Sequence, residues 1–220
     1  MKSQIVSGAL LAYLLMTLSL PLLRHRAVQG EWPVTFQRNA DPFQRLMGAL
    51  LALLLLAGLA WALLVGSVPR ESLDIVQAPG WTEWLGWLLI AAGAALEVAG
   101  QLSMGRSFRV GLDDRPTALV TSGLFRLVRN PVFAGLLVAL SGFVLLTPSP
   151  WSLMGLLWIA SLLAIQTRLE EAHLLRLHGD EYASYASRVG RFLPGIGKSV
   201  WLKDAEPEEE ACGSTASSSP

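Results

Sequence analysis

Residues 127–171 read LVRNPVFAGLLVALSGFVLLTPSPWSLMGLLWIASLLAIQTRLEE. An arginine, an asparagine and a proline stand at the mouth of an apolar run, Val132 to Leu146; TPSP (147–150) follows, then a second apolar run, Trp151 to Thr167, that leads into paired carboxylates. Each run holds about 15 to 17 residues, or about 24 Å of helix at 1.5 Å per residue, and TPSP leaves them little choice but a tight hairpin. A bilayer core takes ~20 residues, so these helices must tilt or end inside the membrane.

Three longer runs precede them: Ile5 to Leu23, Leu46 to Val65 and Trp84 to Met104. The chain is 52% hydrophobic and 15% charged, with mean hydropathy +0.46, which is the balance of an integral membrane protein and not of a soluble domain. The first run is followed by RHR and not by a small-residue cleavage site, so it reads as a retained span. The expected fold is an all-α integral membrane protein with five transmembrane helices, the last two a short hairpin, and cytosolic C-terminal amphipathic helices. Of the latter, Gly179 can end one and Asp180 can cap a second. Three parts follow from this: 1–83, two N-terminal transmembrane helices and loops; 84–200, a core carrying the site; and 201–220, an acidic, then Ser-rich tail expected to be disordered.

The arginines and lysines orient the spans. Segments after the first, third and fifth runs carry four, five and six of them, whereas the opposite side has only Lys2 and Arg70. Positive charge accumulates on the cytoplasmic side, which places the N-terminus outside and the C-terminus in the cytosol. Formal net charge is zero, which gives no footprint for nucleic acid. The single cysteine, Cys212, excludes a disulfide framework or thiolate cluster, and His25, His173 and His178 lack metal spacing, so no metal is expected.

Asn130 is a favoured N-cap and Pro131 suits the first helical position. A helix starting there aims orphan N–H groups and a positive dipole end at the cytosol, which suits a carboxylate or phosphate beside Arg129; a capped helix with a snorkelling arginine accounts for the same residues. Glu170 and Glu171 lie about one turn beyond the fifth run and HGDEY (178–182) with Tyr185 follows, returning acidic and aromatic groups toward the same face. Within the third run Glu97 and Gln101 share a helix face. Glu97 reads as functional, as paired with Arg106 or Arg109, or as protonated against a neighbouring helix.

LVTSGLFRLVRNPVFAG, the TPSP-linked hairpin and RLEEAHLLRLHGDEYASYASRVGRFLP, in that order, resemble the isoprenylcysteine carboxyl methyltransferase family, with phospholipid methyltransferases as wider relatives. The resemblance covers about residues 84 to 194. It implies an integral membrane methyltransferase that binds S-adenosylmethionine on the cytosolic side and receives a lipophilic or lipidated substrate from the bilayer, with membrane lipids around it and no nucleic acid. The cofactor pocket then falls on Thr117, Ala118, Leu119 and Val120, on Phe125, on Asn130, Pro131, Val132 and Phe133 beside Arg129, and on Glu170. Phe125 or Phe133 can stack the adenine or face the sulfonium, the helix start suits the carboxylate, and Glu170 suits the ammonium.

Two positions depart from the family pattern. Asn130 stands where histidine is usual and cannot titrate. Gln166 stands where a substrate-facing arginine is usual, with Arg168 two residues on and about 200° round the helix. Gln166, Arg168 and Glu171 are therefore the candidate catalytic residues: a carboxylate acceptor needs no base, whereas a thiol or amine would look to Glu171 or Glu97. Two other readings fit the same scaffold, a nicotinamide-dependent membrane reductase of the sterol-reductase type and a non-catalytic membrane assembly protein.

Overall fold

The computed structural model describes residues 2–30, 42–104 and 119–199. Thr117, Ala118, Arg106, Arg109 and the tail 201–220 lie outside them. Among the described residues five α-helices carry the fold: α1 (Lys2–Gln29), α2 (Pro42–Ser67), α3 (Gly80–Ser103), α4 (Pro131–Leu146) and α5 (Pro150–Arg188). Among the described residues of the connections, Arg70–Leu73 and Gly123–Arg126 form 3-10 turns.

By length and composition, α1, α2, α3 and α5 can each cross a bilayer, while α4, with 16 residues, is shorter. The protein is an integral, multi-pass membrane protein. Its outer surface agrees, because Leu53, Leu56, Leu88, Leu157 and Trp158 are each more than half exposed, a pattern that suits acyl chains. Of the two helices expected to be short, only α4 is: α5 continues from its apolar part through Glu170 and Glu171 as one 39-residue element. The interruption comes at Gly179, whose φ of 51° and ψ of −128° are non-helical and favour glycine. Ser149 caps α5, accepting a hydrogen bond from Trp151 N, and Ser152 answers with a bond from Ser149 N, so TPSP is a capping box as well as a turn.

The tightest packing joins α3 to α4. Gly86, Gly93 and Gly100 recur every seven residues on α3; Gly86 meets Gly142 of α4, Gly93 meets Gly135 and Ala139, and Gly100 meets Pro131 and Val132. A Cβ on Gly135 would stand 2.6 Å from Glu97 N and Gly93 O, and one on Gly142 would stand 2.5 Å from Gly86 O, so the two backbones touch. Helix α1 packs beside them through Val6, Leu10, Tyr13 and Leu14, in one cluster with Ala62 and Val65 of α2 and Phe143 of α4. Glu97, 1% exposed, accepts a hydrogen bond from the Tyr13 hydroxyl at 2.8 Å, so its partner among the described residues is a phenol of α1.

The two ends of the bundle are distinct. At one end Lys2 meets Glu83 at 2.8 Å, Ser149 donates to Leu73 O, Val76 N to Pro148 O, and Trp151 Nε1 to Asp74. The start of α1, the start of α3 and the α4–α5 turn therefore sit together. At the opposite end α3 terminates near Gly123, and the segments 119–130 and 189–199 come together, with Val128 bridged to Gly190.

Candidate active site

At this second end the chain builds an ionic cluster around Arg129. Its Nε and Nη2 donate to Glu171 Oε1 at 3.0 and 2.6 Å, Nη1 donates to Ala186 O at 2.7 Å and Val189 O at 2.5 Å, and Nη2 also reaches Gly197 O at 3.1 Å and Ser199 Oγ at 3.0 Å. A guanidinium has five N–H groups, and all of these are occupied by the protein. Arg191 holds the other side of Glu171, with Nη2 to Oε2 at 2.7 Å and Nε to Oε1 at 3.0 Å. The hydrogen bonds that Arg191 donates to the Glu171 carboxylate raise its pKa above the ordinary value.

The cluster ties three stretches of chain. Gly179 turns the chain so that Tyr182, Tyr185 and Ala186 pack against Leu174, Leu175 and Leu119. The Tyr185 hydroxyl donates to Phe125 O at 2.7 Å, and Arg129 N and Asn130 N donate to Gly190 O and Arg191 O. Between these stretches lies a cavity of about 170 Å³, lined by Met104, Leu119, Val120, Phe125, Arg129, Asn130, Glu170, Glu171, Leu174, His178, Tyr182 and Tyr185.

Of the residues expected at a cofactor site, Leu119, Val120, Phe125, Arg129, Asn130 and Glu170 line this cavity; Pro131, Val132 and Phe133 are not among its walls. Pro131 is buried, and it and Val132 press on Gly100 of α3, because the first turn of α4 belongs to the glycine contact. Arg129, expected beside a bound anion, has its donors taken by the chain itself. Asn130, expected to cap α4, makes no side-chain cap; its Nδ2 donates to Arg191 O at 3.3 Å. Glu171, expected as a base, is held between two guanidiniums, and its oxygens serve as acceptors in that cluster.

Glu170 differs from its neighbour. Its Oε1 accepts from Gln166 Nε2 at 3.0 Å, its one side-chain hydrogen bond among the described residues. Gln166 is thereby aligned with Glu170, while Arg168 is exposed on another face of α5. The expected list of site residues omitted Met104, Leu174, His178, Tyr182 and Tyr185, although the return of HGDEY and Tyr185 to this face was readable from sequence. The parts played by Arg191 and Ser199 had no local signal.

Residues 81–181 match the model of the phospholipid methyltransferase family. A probable protein-S-isoprenylcysteine O-methyltransferase of Oryza sativa subsp. indica is 28% identical over 120 residues, which is 51% of this chain and 61% of the relative, so the chain spans less than two thirds of that protein. Protein-S-isoprenylcysteine O-methyltransferase B of Arabidopsis thaliana is 29% identical over 146 residues, 62% of this chain and 74% of the relative. A methanethiol S-methyltransferase of Pseudomonas sp. (strain GM41(2012)) is 29% identical over 115 residues, 50% of this chain and 43% of the relative. Among solved structures, the eukaryotic intramembrane Ras methyltransferase, an isoprenylcysteine carboxyl methyltransferase, superposes with a TM-score of 0.60 at 18% identity, covering 90% of this chain and 69% of that one, which shows a shared fold. Over residues 81–181 the chain is similar to phospholipid methyltransferases, it resembles the isoprenylcysteine O-methyltransferases over about half its length, and it shares the fold of the intramembrane isoprenylcysteine carboxyl methyltransferase.

Proposed function

We propose that the protein transfers a methyl group from S-adenosylmethionine to a lipophilic acceptor of the prenylcysteine carboxylate kind, at the cytosolic face of its membrane. The observation that carries the reading is the cavity itself, which gathers Phe125 and Asn130 of segment 119–130 and Glu170 of α5 at the end of a lipid-facing bundle. The donor set suits this cofactor. Glu170 keeps a carboxylate oxygen for an ammonium, Phe125 and the tyrosines offer aromatic surface for an adenine, and the lining adds no free cation to repel a sulfonium. Bound there, the cofactor supplies a methyl group already activated as a sulfonium.

The chain's own task is then to hold and exclude. Glu170, oriented by Gln166, binds the amino-acid end, and the Arg129–Glu171–Arg191 cluster keeps 189–199 in place against the cavity, limiting water. Catalysis by alignment needs no metal and, for a carboxylate acceptor, no base. In this reading residues 84–200 form the catalytic core and residues 1–83 supply two further spans. Five crossings, the last two a hairpin, place the N-terminus outside and the C-terminus in the cytosol, as the arginine distribution requires.

A second reading concerns the acceptor. Arg129 is the one arginine or lysine among the lining residues and its donors are occupied, while Arg168 is exposed; this favours an acceptor without a carboxylate, such as a thiol. Radiolabelled methyl transfer to a prenylcysteine and to a simple alkyl thiol, run side by side on the purified protein, separates the two. Calorimetric titration with S-adenosylhomocysteine tests the cofactor in either case, and no saturable binding by the folded protein would end both readings.

A further inference from the structure

His178 lines the cavity, and its Nε2 is shielded from solvent without a hydrogen-bond partner among the described residues. A shielded ring nitrogen left unpaired is costly unless a ligand completes it. Its position is informative. Glu170, Leu174 and His178 recur every four residues on one face of α5, before the break at Gly179, so the carboxylate and the imidazole stand about 12 Å apart along the helix at 1.5 Å per residue. Leu174 lies between them as an apolar floor. The cavity is thus a slot with an acidic end and an imidazole end, and Tyr182 stands beside it.

We infer that His178 is a cofactor-binding residue and that the cofactor lies lengthwise along α5, its amino-acid end at Glu170 and its nucleoside end at His178, where Nε2 pairs with a ribose hydroxyl. This rests on the cofactor reading above and adds an orientation to it. A ribose hydroxyl both donates and accepts, so either imidazole tautomer completes the bond. The reverse orientation would bring the ammonium to a histidine and leave Glu170 facing the neutral sugar, which wastes the one carboxylate in the lining not held by arginines.

Two probes, one complete at both ends and one truncated, test it with binding as the readout. S-adenosylhomocysteine carries both ends, and 5′-methylthioadenosine carries the nucleoside alone. His178→Phe should weaken both by about 3- to 12-fold, the worth of one neutral hydrogen bond, and His178→Gln should recover part of the loss. Glu170→Gln should weaken S-adenosylhomocysteine and leave methylthioadenosine unchanged. Unaltered methylthioadenosine binding in a folded His178→Phe protein overturns the assignment, as does Glu170→Gln weakening methylthioadenosine while His178→Phe does not. Failure of the wild-type protein to bind either probe refutes the cofactor reading and this orientation with it, a result distinct from the variant pattern.

Discussion

Replacing Arg129 by methionine tests whether it is the tie that closes this end of the molecule. The side chain of Arg129 is 2% exposed and that of Glu171 6%, so the pair lies out of reach of solvent, and salt should hardly screen it. Removing one partner of a buried pair costs about 3 to 5 kcal/mol, because the other charge stays buried. Here Arg191, 17% exposed, still neutralises Glu171, which lowers that cost. Against this, Ala186 O, Val189 O and Gly197 O lose a charged donor, at about 1 to 3 kcal/mol for each that water fails to reach. We expect a net loss of about 3 to 5 kcal/mol on these figures, with Arg191→Ala costing about 1 to 2 kcal/mol because Arg129 keeps its hold on Glu171. Reversible unfolding in mixed micelles measures both, and amide exchange should show the opening confined to 186–199. A cycle with Glu171→Leu should return a coupling of about 2 kcal/mol or more. An Arg129→Met protein within 0.5 kcal/mol of wild type, a bound set by ordinary surface substitutions at about that size, would refute the account.

Gly93→Ala should destabilise the bundle by about 1 to 3 kcal/mol, because its Cβ would collide with Ala139 N and Gly135 O, while Gly155→Ala, with nothing within 4 Å, should be neutral or slightly stabilising; thermal unfolding of the pair decides whether the α3–α4 contact is as close as described. In a Cys212→Ser background, an impermeant thiol reagent applied to intact cells should label Glu71→Cys and spare Lys198→Cys, and the opposite pattern would reverse the topology. Gln166→Arg would set a guanidinium against Glu170 and should weaken S-adenosylhomocysteine binding, and Arg168→Ala should lower turnover less than Glu170→Ala does. Complete loss of turnover with cofactor binding retained in Arg168→Ala would show that the exposed arginine reaches the substrate after all.

The sequence by itself determined what depends on local composition. Crossing a bilayer requires a sustained apolar run, and that property belongs to each segment separately, so the apolar helices, the TPSP turn between the last two and the break at Gly179 were all readable in order. Leu119, Val120, Phe125 and Glu170 were readable too, because a family resemblance is carried by short contiguous motifs. Tertiary structure decided the partnerships. Arg129 is 42 residues from Glu171 and 70 from Ser199, and Tyr13 is 84 from Glu97, so nothing in the spacing of these residues names the partner. A buried polar group takes whichever complementary group the packing brings within about 3 Å, and that is settled by helix crossings far away in the chain. This is why Arg129, placed at the mouth of a helix and read as a ligand for an anion, is occupied by the chain, and why His178, set aside as a metal ligand for its spacing, has an Nε2 without a partner among the described residues in the wall of the cavity.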